Sequence, residues 1–341
     1  IPWPVAMLSI VATETSVLTF ISVPSIAYRD GWWFLQLALG YIIGRVLVSI
    51  FLLPKYFSND IISIYEIIGN YFGKPIQKLS SIIFLITRLL ADGIRFLATA
   101  IIFNILSGWG IVPSVFVMGI VTLIYSYFGG IRSILWIDSI QFIIYLLGGL
   151  LSIYFLYLHI PFEVISSSVE NSVSSIFHFS GSLLTDSNLF INGLIGGTFL
   201  SFASHGVDYM MVQRVLACKS LKSAQKAMIG SGFFVLLQFA IFLFAGSLIW
   251  LYMNGAPLDK DREFSTFIMN YLPAGIRSII LIGVLSAAMS TLSSSINALA
   301  SSTVIDIFKG NVSLNMSKII SVFWACILIA IAMVFDESNT A

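Results

Sequence analysis

The sequence predicts an all-α polytopic membrane protein, its spans arranged as two five-helix units of opposite orientation. Three observations carry this reading: the composition, the recurrence of long apolar runs, and two polar interruptions that lie five runs apart. Of 341 residues, 58% are hydrophobic and only 10% charged, and the mean hydropathy is +0.98. Soluble domains carry charge on about a quarter of their residues. A hydrocarbon core about 30 Å thick asks for roughly 20 apolar residues per helix, and the chain meets that demand repeatedly. Barrel strands would alternate every second residue, and these runs do not.

Taken in order, the runs cover residues 2–28, 32–53, 79–106, 113–128, 133–158, 189–217, 225–253, 275–308 and 318–335, which makes nine passes in one transmembrane domain over residues 1–341. The chain opens on Ile1 in the already apolar "IPWPVAMLSI", and its last run stops just before the chain does. It therefore reads as a piece of a longer protein. No basic stretch with a small-residue cleavage site precedes the first run, so no signal peptide is expected. Cys218 and Cys326 are far apart and form neither a metal-ligand spacing nor a disulfide framework. A net charge of +1 with dispersed basic residues gives no footprint for nucleic acid.

Positive charge sets the orientation, since cytoplasmic loops retain Lys and Arg. Lys55, Lys74, Lys78, Arg132, Arg214, Lys219, Lys222, Lys226, Lys309 and Lys318 fall in or beside the loops after runs 2, 4, 6 and 8. Only Arg29, Lys260, Arg262 and Arg277 fall on the other side. The first span thus starts in the cytoplasm of a cell whose inner (plasma) membrane holds the protein. Arg45, Arg88 and Arg95 lie inside apolar runs, where charge is costly and usually functional.

The first run carries Thr13, Glu14, Thr15 and Ser16 at its middle, followed by Pro24. The sixth carries Gly193, Gly196 and Gly197, then Ser204, His205, Gly206 and Asp208. Interrupted helices at matching places in two units point to inverted repeats with a binding site at the breaks. The first repeat covers about 1–158 and the second about 189–335, short of its last helix. Five is odd, so the second unit runs opposite to the first.

The eighth run holds "LSAAMSTLSSSINALASS", residues 285–302. Small polar residues often serve close helix packing in membranes. Ser290, Thr291, Ser293, Ser294 and Asn297, however, cover an arc wider than one packing seam, and hydroxyl and carbonyl oxygens suit a small hard cation. A sodium site is the sharper reading, with partner oxygens from the unpaired carbonyls of the first break. Asp138, in "GGIRSILWIDSIQ", either meets cytoplasmic water near the interface or offsets the charge of that cation. Arg88, Asp92 and Arg95 stack on one helical face, either as a structural trio or as a positive surplus that favours a carboxylate on a solute. Glu14 is expected to pair with Arg45 or another buried cation. His205 and Asp208 suit gating or hydrogen bonding to a solute. No hydrolase elbow, "HExxH", P-loop or zinc-spaced set is present, which disfavours an enzyme.

Together, "GGIRSILWIDSIQ", the "VQR" that closes the sixth run and "SAAMSTLSSSINALASS" resemble the sodium:solute symporter family, over essentially the whole chain. The resemblance implies a leucine-transporter-type five-plus-five fold, of which this chain holds about core helices 1 to 9. It also implies a principal sodium ion held by main-chain oxygens of Ala12, Thr15 and Ala287 with the hydroxyls of Ser290 and Thr291. Some members bind a second sodium ion, whose counterparts here are Asp138, Ser293 and Ser294, with Ser290 shared. Carriers of acidic sugars point to Ser16, Thr19 and Arg88 or Arg95 as solute contacts, and Gln36 lies near another. The "TETS" break departs from the best-known sugar and proline carriers. The expected activity is coupling of Na+ influx to uptake of a small polar, carboxylate-bearing solute by alternating access across the lipid bilayer. A transporter-like sensor that binds solute without moving it is the main alternative, and an ion channel fits the broken helices less well.

Overall fold

The computed structural model describes residues 1–58, 61, 63–186 and 188–335, and every regular element among them is helical. The first apolar run is two helices, α1 (Trp3–Glu14) and α2 (Val17–Asp30), bent by 70° at Thr15 and Ser16. It is followed by α3 (Leu35–Leu47), a π-helical turn and α4 (Leu53–Ser58), then the short α5 (Tyr65–Phe72) and the long α6 (Lys74–Ser107). Helix α7 (Ile111–Tyr157) holds two spans, because Gly130 takes φ 57°, ψ −173° inside it and turns the chain there. A left-handed φ of this kind is cheap only for glycine.

After α8 (Phe162–Ser174) comes a second broken run, α9 (Phe190–Val207) and α10 (Tyr209–Leu216), joined at Asp208. The remainder is α11 (Leu221–Tyr252), the short α12 (Glu263–Asn270), α13 (Ala274–Ser302) ending in a π-helical turn, and α14 (Leu314–Val334). Seven helical segments among the described residues are long and apolar enough to cross a membrane, and the α1/α2 pair makes an eighth. The remaining expected run, the sixth (189–217), is the α9/α10 pair, whose Gly, Asn, Ser and His residues dilute its apolar content.

Burial inverts the soluble pattern. On α6 the outward stripe is Ile82, Ile86, Leu90 and Ile94, all exposed, while Ser81, Arg88 and Asp92 face inward. Apolar side chains outside and polar ones inside are what a hydrocarbon solvent selects. The innermost element is α13, which packs against α1, α6, α7, α10 and α14. Its Ser290, Ser293, Ser294 and Ser295 are fully buried.

Gly193 and Gly197 do not interrupt α9. They let it approach α3, which presents Gly40 and Gly44 in return, a small-residue seam of the kind that brings membrane helices together. A Cβ on Gly197 would lie 2.3 Å from the Leu37 carbonyl oxygen, whereas one on Gly196 meets nothing within 4 Å. Gly197→Ala should therefore cost about 1–3 kcal/mol through overpacking, with Gly196→Ala near neutral. Equal thermal midpoints for the two variants would refute this account of the seam.

Candidate ion and solute site

Both breaks arise from local capping chemistry. Ser16 takes an extended backbone and its side chain accepts from the Thr19 amide at 3.4 Å, starting α2 afresh. Asp208 does the same for α10, accepting from the Met210 amide at 2.9 Å. Ser and Asp are strong N-cap residues, so each break is encoded where it falls. Helix α1 ends at Glu14 with the Thr15 amide closed on the Val11 carbonyl at 2.9 Å. The carbonyls that follow in its last turn have no helical amide to meet, and they are available to another partner.

A cavity of about 10 Å³ lies at this break, lined by Ala12, Thr15, Gln141, Phe142, Tyr145, Ala287 and Ser290. That is room for about one water-sized particle. Four of the five residues expected to hold the principal ion thus meet around one small void. The fifth, Thr291, lies one turn away along the hydroxyl face and donates to the Ala287 carbonyl at 3.2 Å. The hydroxyls are oriented by neighbours. Ser290 donates to Asp138 Oδ1 at 2.8 Å, and Thr15 donates to Gln238 Oε1 at 2.9 Å. A hydroxyl whose proton is committed elsewhere turns its lone pairs toward the void, as a cation requires.

Asp138 is fully buried, not at a wet interface. It accepts from Ser9 at 2.7 Å and from Ser290, and Arg214 Nη2 stands 3.3 Å from its Oδ2. The Arg214 guanidinium also donates to Ser9 at 3.1 Å, to Ser294 and to the Met210 carbonyl. Ser293 and Ser294 donate to the Ser290 carbonyl at 3.0 and 2.6 Å. Counting Arg214 with the cytoplasmic loops was wrong. It is fully buried, and its charge sits among the residues expected around a second cation.

The other side of α13 faces α6. Arg88 is bonded to both oxygens of Asp92, through Nε at 2.6 Å and through Nη2, and its Nη1 reaches Asp208 at 2.6 Å. Asp92 also accepts from Ser295. The surplus positive charge expected on this face is therefore balanced, two arginines against Asp92 and Asp208. Arg95 is the looser partner, 3.7 Å from Asp92 with its side chain 39% exposed. It lines a second cavity of about 10 Å³ with Ser16, Asp92, Thr99, Thr291 and Ser295 among others. Thr19 lies beside Ser16, their hydroxyls 3.4 Å apart.

Gln36 is placed elsewhere. It is buried beneath the segment after α8, donating to the Ile176 and Asn188 carbonyls at 2.8 and 3.0 Å. Glu14 pairs with the fully buried Arg45, as expected, and His205 Nε2 stands 3.6 Å from Glu14. Reasoning from sequence missed Ser9 and Gln238 as partners of the ion-site groups and read Arg214 as a topology marker. The available signal for Arg214 was its place between Val212 and Val215, inside the sixth apolar run.

These features have counterparts in known proteins. The chain is 29% identical over 315 residues to sodium-coupled monocarboxylate transporter 2 of Homo sapiens, covering 89% of this chain and 50% of the relative. It is 27% identical over 320 residues to the sodium/iodide cotransporter of Homo sapiens, covering 89% of this chain and 48% of the relative. It is 26% identical over 330 residues to the sodium/sialic acid symporter NanT of Aliivibrio fischeri, covering 91% and 63%. The chain spans about half the length of the curated human relatives it matches. A solved structure of a Na+-coupled sialic acid symporter in a substrate-bound outward-open state superimposes with a TM-score of 0.88 at 22% identity, over 98% of this chain and 74% of that one, which establishes a common fold. The sodium:solute symporter family model matches residues 1–339. With that match running from the first helix through the last, the chain belongs to the sodium:solute symporter family.

Proposed function

We propose that the protein couples Na+ influx to uptake of a small anionic solute, using two oppositely oriented five-helix repeats of which this chain holds core helices 1 to 9. The observation that carries this reading is the small void where Ala12 and Thr15 of the α1 break meet Ala287 and Ser290 of α13. Sodium, as co-transported cargo, is held there by main-chain oxygens of Ala12, Thr15 and Ala287 and by the hydroxyls of Ser290 and Thr291. These are neutral oxygen ligands, the type a hard monovalent cation accepts. Because the ligands come from two helices, binding the ion ties the break of α1 to α13. Coupling follows, since the neighbouring void, lined by Ser16 and Thr291 from the same two segments, has to widen to admit a solute and does so against the elements that the ion ties together.

A second sodium ion at Asp138, Ser293 and Ser294 requires the Arg214 guanidinium to leave its present partners. With Arg214 in place, we read the resting stoichiometry as one ion. For the solute, the relatives named for monocarboxylates, iodide and sialic acid share negative charge. Arg95 is the cation that can receive it, with Ser16 and Thr19 as hydroxyl donors. Arg88, Asp92 and Asp208 form the wall that holds Arg95 in position.

The test is uptake into proteoliposomes under an imposed sodium gradient, with short monocarboxylates, sialic acid and iodide as solutes. Sodium-driven accumulation of at least one anion is expected, and solute binding without accumulation of any would favour the sensor reading. Ser290→Ala with Thr291→Ala removes one to two ligand contacts at about 1 kcal/mol each, so half-saturation by sodium should rise between about fivefold and thirtyfold. An unchanged sodium dependence in the folded double variant would falsify the assignment.

A further inference from the structure

A larger cavity, of about 390 Å³, lies away from both voids, between the bend of α7, the last turns of α13 and the first turns of α14. All three segments end on the Lys- and Arg-rich face, the cytoplasmic one by the positive-inside rule. Its polar lining is Ser126, Asn297, Ser301, Ser317, Lys318 and Ser321, and no Asp or Glu among the described residues borders it. Lys318 places its ammonium 4.9 Å from the centroid of the Tyr127 ring. No carboxylate lies within ion-pairing distance of it among the described residues. Ser126 contributes a buried Oγ without a hydrogen-bond partner. The amide nitrogen of Asn297 gives one proton to Gln213 at 2.7 Å and has another to offer.

Ser317 and Ser321 give their hydroxyl protons to the Ser313 and Ser317 carbonyls, so Lys318, the Asn297 amide and the hydroxyls of Ser126 and Ser301 are the groups that can meet a ligand. One unpaired cation with these donors and no acid is suited to an anion with several acceptor oxygens. Its rim says what the rest of that ligand is like. Phe128 and Leu314 border the cavity and are 76% and 73% exposed. Large apolar side chains left uncovered at the end of a membrane helix face acyl chains and interfacial lipid. An anionic head beside an apolar rim describes an amphiphile, and basic pockets between membrane helices on the cytoplasmic side take lipid head groups.

The geometry points to a phosphate-ester site at this corner, filled by an anionic phospholipid of the cytoplasmic leaflet. The head group's phosphate meets Lys318 and the hydroxyls of Ser126 and Ser301, and the acyl chains pass over Phe128 and Leu314. Because the cavity is walled by α13 on one side, such a lipid braces the helix that carries Ser290 and Thr291.

Native mass spectrometry of the purified full chain, titrated with phosphatidylglycerol or with phosphatidylcholine of the same acyl chains, tests this directly. The first phosphatidylglycerol should bind about fivefold more tightly than phosphatidylcholine, the factor one surface cation supplies. Lys318→Gln should remove that preference, and Lys222→Gln, on another loop of the same face, should leave it intact. A preference that survives Lys318→Gln, or that Lys222→Gln abolishes equally, overturns the proposal. Should Lys318→Gln fail to fold, Ser301→Leu fills the cavity without changing charge: loss of the preference supports the site, and its retention overturns it. Inorganic phosphate is the remaining arm. If millimolar phosphate displaces the bound phosphatidylglycerol, the site takes a soluble phosphate and the lipid assignment falls.

Discussion

Arg214→Gln should destabilise the protein by about 3–5 kcal/mol, the cost of leaving one partner of a buried ion pair alone. Arg214 and Asp138 are both fully buried, and the guanidinium bonds four groups at once: Ser9, Ser294, the Met210 carbonyl and Asp138 itself share its nitrogens. Asp138→Asn alone should cost a comparable amount, because it strands the guanidinium instead. The double variant should recover much of both losses, since amides can exchange hydrogen bonds where charges demanded each other. A thermodynamic cycle of the two single variants and the double, read by thermal unfolding in detergent, measures the coupling. Simple additivity would mean that the pair is not the unit described here. Sodium adds a second readout. With Arg214 gone, Asp138, Ser290, Ser293 and Ser294 are left as an oxygen set lacking a cation, so sodium should raise the midpoint of Arg214→Gln more than that of the unmodified protein.

Arg95→Gln should weaken binding of a carboxylate solute about tenfold to a hundredfold while leaving the fold intact, and Arg88→Gln should do the reverse, lowering stability before it touches the solute. The difference follows from their partners. Arg88 satisfies two carboxylates, Asp92 and Asp208, at 2.6 Å or closer, and removing it strands both. Arg95 reaches Asp92 only at 3.7 Å and opens onto the cavity that Ser16 and Thr291 share. Loss of a charge-assisted contact to a solute carboxylate is worth about 1.5–3 kcal/mol, or roughly tenfold to a hundredfold in affinity. Arg95→Lys keeps the charge but not the planar fork, so it should spare a spherical anion such as iodide better than a monocarboxylate. Equilibrium binding of both anions to the three variants decides the matter. Normal carboxylate binding by Arg95→Gln would return Arg95 to the wall with Arg88.

The spans, the two breaks and the hydroxyl cluster were legible in the sequence because each is written in neighbouring residues. Apolar length reports a membrane crossing, and a capping residue inside an apolar run reports a new helix start. A run of Ser and Thr inside an apolar helix reports an inward face, because lipid would not accept it. The pairing of Glu14 with Arg45 was also within reach, since few buried charges exist to choose from. The glycines of the sixth run were read as marks of interruption, yet Gly193 and Gly197 serve packing against α3. Glycine serves both ends, and only the presence of a facing helix separates them.

What the tertiary structure decided was which side chain answers each buried charge. Asp138 is answered by Arg214, 76 residues away, and Arg88 by Asp208 as well as by its own helix neighbour, 120 residues away. Sequence position gives the depth of a side chain along a helix, but the direction it faces is useful only once the neighbouring helix is known. That neighbour is set by packing over many apolar contacts, none of which carries the identity of a partner charge. By itself the sequence therefore determined an all-helical, polytopic membrane protein with an oxygen-rich centre. Only the assembled helices determined that one cation, Arg214, already sits beside Asp138, and that Arg95 is left partly exposed where Arg88 is buried between two carboxylates. In hydrocarbon the cost of an unpaired charge is high enough that the fold must settle these pairings before any solute binds.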